Sequence, residues 1–168
     1  MDDLSLVVYS TEEEIALSLI KGFWRLHNDF EVSDEEARED LTLYTSKEHV
    51  LYLVKYMDKY IGFAHLASRG VSIDWLEDIY IVPEHQGKGF GSSVIYLLED
   101  IVKKYSDSLY MEVAARNERA LRLYHRLGYT CLNTVTIRKD FEPKKYECIK
   151  VEEIYDMELE IRKKKLSK

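Results

Sequence analysis

Apolar and polar residues alternate over residues 4–9 (LSLVVY), which predicts an opening strand. Thr11 and Glu14 then stand at the spacing of a helix-capping box. Ile15, Leu19, Ile20, Phe23 and Leu26 follow at helical intervals. Ser33 and Glu36 repeat the capping signature and open a second helix running to about Leu43. Two β-rich segments, 50–56 and 60–67, flank Met57-Asp58-Lys59 in the manner of a hairpin. Beyond Gly70 a third strand spans about 72–82 and stops at Pro83, which has no N–H to give a ladder.

A glycine-rich turn comes next, then a helix over about 89–104 with Phe90, Val94, Leu97, Leu98, Ile101 and Val102 on one broad face. A strand at 109–115 precedes a short helix at 118–127, which Gly128 stops. Segments 130–138 and 152–160 alternate well enough to form a closing pair of strands. The order β-α-α-β-β-β-α-β-α-β-β, with one strand–helix–strand unit, implies a mixed α/β (α+β) sheet. It is mostly antiparallel, has one parallel pair, 72–82 with 109–115, and is flanked by helices. We expect a single domain over 1–161 and a basic C-terminal tail, 162–168, carrying Arg162, Lys163, Lys164, Lys165 and Lys168.

Composition changes this picture little. The chain of 168 residues is long enough for a proper core, and no apolar run reaches the ~18 residues of a membrane span. A net charge of -7 disfavours nucleic acid and favours cationic partners. Met1-Asp2-Asp3 lacks the basic and apolar parts of a signal peptide, so we expect a cytoplasmic protein. Cys131 and Cys148 are then expected as buried, reduced thiols. The five histidines show no metal-ligand spacing, and no metal is expected.

The strongest local signal is Pro83-Glu84-His85-Gln86-Gly87-Lys88-Gly89-Phe90-Gly91-Ser92, where a strand exits and a helix begins. Glycines let backbone N–H groups approach a ligand, and a helix N-terminus adds roughly half a positive charge, so this turn suits a pyrophosphate. A Walker A loop would need Ser or Thr after Lys88, where Gly89 stands; a dinucleotide fingerprint would need G-x-G-x-x-G. Gln86, Gly89 and Gly91 instead match Gln/Arg-x-x-Gly-x-Gly. A second segment, Asn117 to Tyr129, matches N-x-x-A-x-x-x-Y-x-x-x-G-F/Y through Asn117, Ala120, Tyr124, Gly128 and Tyr129.

Together these segments resemble the GNAT N-acetyltransferases, strongly over about 72–130. The resemblance implies the GNAT fold, with the parallel pair central and splayed, and acetyl-CoA as co-substrate. It places Gln86, Gly87, Lys88, Gly89, Phe90, Gly91 and Ser92 on the pyrophosphate, with Arg126 a further candidate beside Lys88. It places Ile79, Tyr80, Ile81, Asn117, Ala120 and Tyr124 along the pantetheine arm.

Acetyl transfer to an amine needs a group to take the ammonium proton, donors for an oxyanion and an acid for the departing thiolate. The resemblance makes Tyr124 that acid. Glu77 is the first candidate base, from the Leu-Glu-Asp run that is similar to spermidine/spermine acetyltransferases. Asp78 is its rival, because a β-bulge would exchange which carboxylate faces the cleft. The second helix is rich in acid, and Glu39 and Asp40 lie beyond what capping explains. With Glu77 and Trp24, whose surroundings are similar to aminoglycoside 6'-N-acetyltransferases, they suggest a site for a small cationic amine such as a polyamine or aminoglycoside. The alternatives are a protein or peptide amine acetyltransferase and a noncatalytic acyl-CoA-binding module; a homodimer is left open.

Overall fold

The computed structural model describes residues 3–28 and 30–165, so Lys168 of the basic terminus lies outside the described residues. The chain forms two compact units, Met1–Glu112 and Val113–Lys168. The first contains β1 (Leu4–Val8), α1 (Glu13–Asn28), α2 (Asp34–Tyr44), β2 (His49–Tyr56), β3 (Lys59–Ser68), β4 (Ile73–Ile81), α3 (Phe90–Val102) and β5 (Tyr110–Met111). The second contains α4 (Glu118–Arg126), β6 (Tyr146–Ile154) and β7 (Met157–Lys164).

The five strands of the first unit form one sheet in the order β1-β2-β3-β4-β5. Every pairing is antiparallel except β4–β5. The parallel pair is the expected one, but β5 ends the sheet, so the pair stands at an edge rather than at the centre. Strands β2 and β3 are apolar along most of their length because both faces are covered. Phe63, Leu51 and Leu53 pack with Ile20, Phe23, Ala37 and Tyr44 of α1 and α2. The buried leucine, isoleucine and phenylalanine side chains among them are each worth ~1.5–3 kcal/mol.

The helix boundaries expected from caps need one correction. Ser33 and Glu36 form the reciprocal capping box at α2. At α1, however, the helix begins at Glu13, and Thr11 makes no such box: the Glu12 carboxylate folds back before the helix, and its Oε2 accepts the N–H groups of Ser10 and Thr11. Ile15 and Leu26, expected on the apolar face of α1, are exposed. The buried stripe runs through Ala16, Leu19, Ile20 and Phe23, at helical spacing, and leaves them on its flanks.

In the second unit, 130–138 forms no strand, and 152–160 is cut by a turn. Tyr155 and Asp156 both take positive φ, 53° and 59°, the geometry that folds a two-residue hairpin. That turn pairs β6 with β7 locally. Leu132, Val135 and Ile137, whose alternation suggested a strand, are all exposed. Alternation without a face to bury does not build a ladder. Both cysteines are exposed free thiols rather than buried ones. Arg162, Lys163 and Lys164 belong to β7, where Arg162 bonds Glu160 and Asp140, and Lys163 pairs with Glu147.

Candidate active site

The glycine turn begins where β4 ends. Pro83–His85 makes one 3-10 turn, and Gln86 donates its Nε2–H to the Ile81 carbonyl (2.7 Å), tying the turn to the strand. Gly89 caps α3 at φ 88°, a conformation that a residue with a Cβ rarely adopts. No side chain caps this helix end, so its first N–H groups are left for a ligand. A Cβ built on Gly87 or Gly91 would meet nothing within 4 Å, so the loop borders open space. These features fit an anion at the helix N-terminus. Lys88 is exposed beside it, and Ser92 lies in the first turn of α3. Phe90 is buried and packs edge-on to Tyr56 and His85, so only its backbone is free to serve a ligand.

Strand β4 pairs with β5 only through Trp75–Tyr110 and Leu76–Met111. Among the described residues no strand lies beside that edge of β4 from Glu77 onward, which leaves the backbone of Ile79, Tyr80 and Ile81 as an extended recognition edge. The side chain of Tyr80 points elsewhere: it is buried against Phe23 and Phe63.

The end of that pairing coincides with a register shift. His65 faces Asp78 and Leu66 faces Leu76, so Glu77 is the extra residue of a bulge in β4. The two candidate bases therefore lie in different surroundings. Both oxygens of Glu77 are taken by Arg69, whose Nε–H and Nη2–H each donate at 2.7 Å. Arg69 also reaches Glu112 at 2.8 Å and lies over the Trp75 ring, 4.1 Å from its centre. Trp75 stacks on Tyr110 at 5.0 Å. These two carboxylates raise the proton affinity of Arg69, which therefore stays charged.

Asp78 meets an imidazole and a phenol instead. Its Oδ2 lies 3.1 Å from Nδ1 of His65, and its charge acts on the nearby Tyr44 hydroxyl. His65 is buried and stacks on Tyr44 at 4.0 Å. Its Nε2 lies 2.8 Å from Nδ1 of His49. Burial, with Asp78 close by, pushes the Tyr44 phenol far up, so it keeps its proton. The ordinary reading of spacing missed His49, His65, Tyr44 and Arg69, since none lies in a motif. The only signal was that the histidines flank one hairpin.

The Asn117–Tyr129 segment carries its motif on α4. Asn117 caps the helix by accepting the Ala120 N–H at 3.1 Å. Gly128, at φ 99°, and Tyr129 close it: the Gly128 N–H reaches the His125 carbonyl and the Tyr129 N–H reaches that of Tyr124, a Schellman motif. Tyr124 is half-buried, and burial raises its phenol above the usual range, so it is a proton donor at neutral pH. Arg126 is exposed.

The expected acceptor residues are brought together in part. Trp24 donates its Nε1–H to Asp40 at 2.6 Å, so these two bind each other. Glu39 is exposed. Most other acids before or in α2 also have partners: Glu31 with Arg25, Asp34 with Lys21, and Glu36 in the cap. A hollow between α1 and α2 is lined by Lys21, Arg25 and Arg38 as well as Glu14 and Asp34, so it is not an acidic cleft.

Comparison with known proteins places these features in context. Residues 18–129 match the model of the Acetyltransferase (GNAT) family. A [Ribosomal protein bS18]-alanine N-acetyltransferase of Escherichia coli (strain K12) is 33% identical over 69 residues, 40% of this chain and 45% of that protein. A thialysine N-epsilon-acetyltransferase of Bos taurus is 37% identical over 67 residues, 39% of each chain. The chain thus spans less than half the length of these curated relatives. Among solved structures, the aminoglycoside acetyltransferase AAC(6')-Iy with a bisubstrate analogue aligns with TM-score 0.64 and 16% identity. That alignment covers 82% of this chain and 97% of the other. Spermidine N-acetyltransferase from Vibrio cholerae, with CoA and spermine, aligns with TM-score 0.60 and 24% identity over 76% and 81%. Both likenesses concern the fold.

Proposed function

This chain belongs to the GNAT acetyltransferase family, and from that premise we propose that it transfers an acetyl group from acetyl-CoA to a primary amine of a small, cationic acceptor. The observation that carries the reading is the uncapped N-terminus of α3 behind Gly89, next to the free edge of β4. Bound acetyl-CoA would supply an acetyl group on a thioester, an acyl donor open to attack by a neutral amine. The N–H groups of Gln86–Ser92 hold the pyrophosphate, with Lys88 alongside. The backbone at Ile79–Ile81 holds the amides of the pantetheine arm as a neighbouring strand would. One carboxylate of β4 takes the ammonium proton, and Tyr124 keeps a phenolic proton available for the sulfur. Net charge of -7 and the β4 carboxylates support a cationic acceptor.

A second reading, acetylation of a protein α-amine, draws on the relative named for alanine of a ribosomal protein. The test is a panel of spermidine, an aminoglycoside, a neutral amino acid and an alanine-initiated peptide, each with acetyl-CoA and a free-thiol readout. Turnover with spermidine or the aminoglycoside, with KM rising with ionic strength, supports the first reading. Preference for the peptide supports the second. Coenzyme A at 100 times Kd should add about 2.7 kcal/mol of stability, and Gly89→Glu should remove that gain. No stabilisation and no thiol release with any amine would overturn both readings.

A further inference from the structure

We propose that His65 and His49 are positioning residues for Asp78, a hydrogen-bonded chain that orients this carboxylate to take the proton of the acceptor amine. The inference rests on the acetyl-transfer reading above and deepens it, by choosing between the two carboxylates of β4 and naming what sets the chosen one.

The choice follows from lone pairs. Glu77 gives both oxygens to the guanidinium of Arg69, so an incoming ammonium would have to displace a cation held by two bonds. Asp78 faces an imidazole and a phenol rather than a guanidinium, and is partly exposed. An ionised carboxylate only accepts, so Nδ1–H of His65 donates to Asp78. In the proposed chain His65 carries that proton alone, its Nε2 accepts, and Nδ1–H of His49 donates to it. The chain ends at half-buried His49. The step itself is a plain proton transfer: an N–H bond of the ammonium breaks, an O–H bond forms on Asp78, and the amine keeps the electron pair.

The surroundings say when this works. Tyr44 of α2 stacks on His65 and lies near Asp78; Asp40 of α2 acts on Tyr44; the charges of Glu48 before β2 and Glu77 of β4 act on His49. Burial and the neighbouring His65 hold His49 below its ordinary value, outweighing the two glutamates. Acid that does protonate His49 places a cation on the chain, which repels a cationic acceptor and draws on the same carboxylate. Turnover therefore falls on the acid side at a point owned by the whole unit.

Two measurements test this. In 15N spectra of the free protein, His65 and His49 should both be Nδ1–H tautomers at neutral pH, and Asp78→Asn should change both. Nε2–H tautomers would overturn the chain, whatever the enzyme does. With acetyl-CoA and spermidine, Asp78→Asn and His65→Leu should each lower kcat ~100-fold, with KM and coenzyme A stabilisation little changed. His65→Asn, which keeps a donor toward Asp78 and guards against misfolding of the leucine variant, should recover part of that loss. His49→Asn, which keeps a donor but cannot titrate, should outperform His49→Leu and lose the acid-side inflection. A Glu77→Gln loss larger than that of Asp78→Asn, or wild-type kcat in His65→Leu and His65→Asn, would sink the proposal. A wild type inert toward every amine would fail the proposed function instead, with the tautomers still deciding the chain.

Discussion

The glycine turn at 86–92 runs into α3, which buries Phe90, Val94, Ile95, Leu98 and Val102, whereas the Asn117–Tyr129 segment runs through α4, which buries no side chain. Both carry a family motif, yet one is anchored by core packing and the other by its two ends. Asn117 caps α4 at its start, and Gly128 and Tyr129 satisfy its last carbonyls. The difference extends beyond the helices, since no described residue after Val102 is buried. A pyrophosphate cradle has to be preorganised, because its N–H groups must point one way before the ligand arrives. A helix that delivers a single phenol needs only its register, which caps can supply.

This contrast can be broken most directly in the cores. Leu98→Ala should cost ~2–5 kcal/mol in urea unfolding, as a fully buried leucine does, while Leu121→Ala, on exposed α4, should stay within ~0.5 kcal/mol. Equal losses would refute the difference in anchoring. Tyr124→Phe then asks whether α4 contributes chemistry rather than packing. Turnover should drop ~100-fold, with stability and coenzyme A binding retained, and unchanged turnover would return Tyr124 to a structural role. Asn117→Ala should cost ~1 kcal/mol, seen as faster amide exchange confined to α4. Protection unchanged there would mean that the cap is not what holds it.

The smallest effect is pH dependence in the first unit. The folded-state value of His49 is depressed below its ordinary value of about 6.5, so folding favours the neutral ring. That contribution is present above the unfolded value and is lost as pH falls below it toward the folded one. Melting temperature should therefore decline on the acid side of about pH 6.5 more steeply in wild type than in His49→Asn. Superimposable profiles would mean that His49 is not the group titrating.

Much of the fold was legible because it is written in local chemistry. The capping box at Ser33, the hairpin at Met57-Asp58, Pro83 ending β4, and Gly128 stopping α4 each act within a few residues. The order of elements was legible for the same reason. The final strands were placed wrongly because alternation over 130–138 says nothing of whether a partner exists. Tyr155 and Asp156 made the nearer pairing.

The sequence by itself determined the two motif segments, the strand–helix turn that carries the first of them and the carboxylates at 77 and 78. Only the tertiary structure decided what those carboxylates do. A shift between Val54 and Lys55 moves the β2–β3 register by one residue, which puts Leu51 opposite His65 and so sets His49 and His65 on one face. A second shift, in β4, sets Asp78 opposite His65 and leaves Glu77 to Arg69. Side chains on a strand change face with every residue, so one extra residue in a ladder reassigns every contact beyond it. That extra residue arises from pairing between distant segments, which no spacing along the chain encodes.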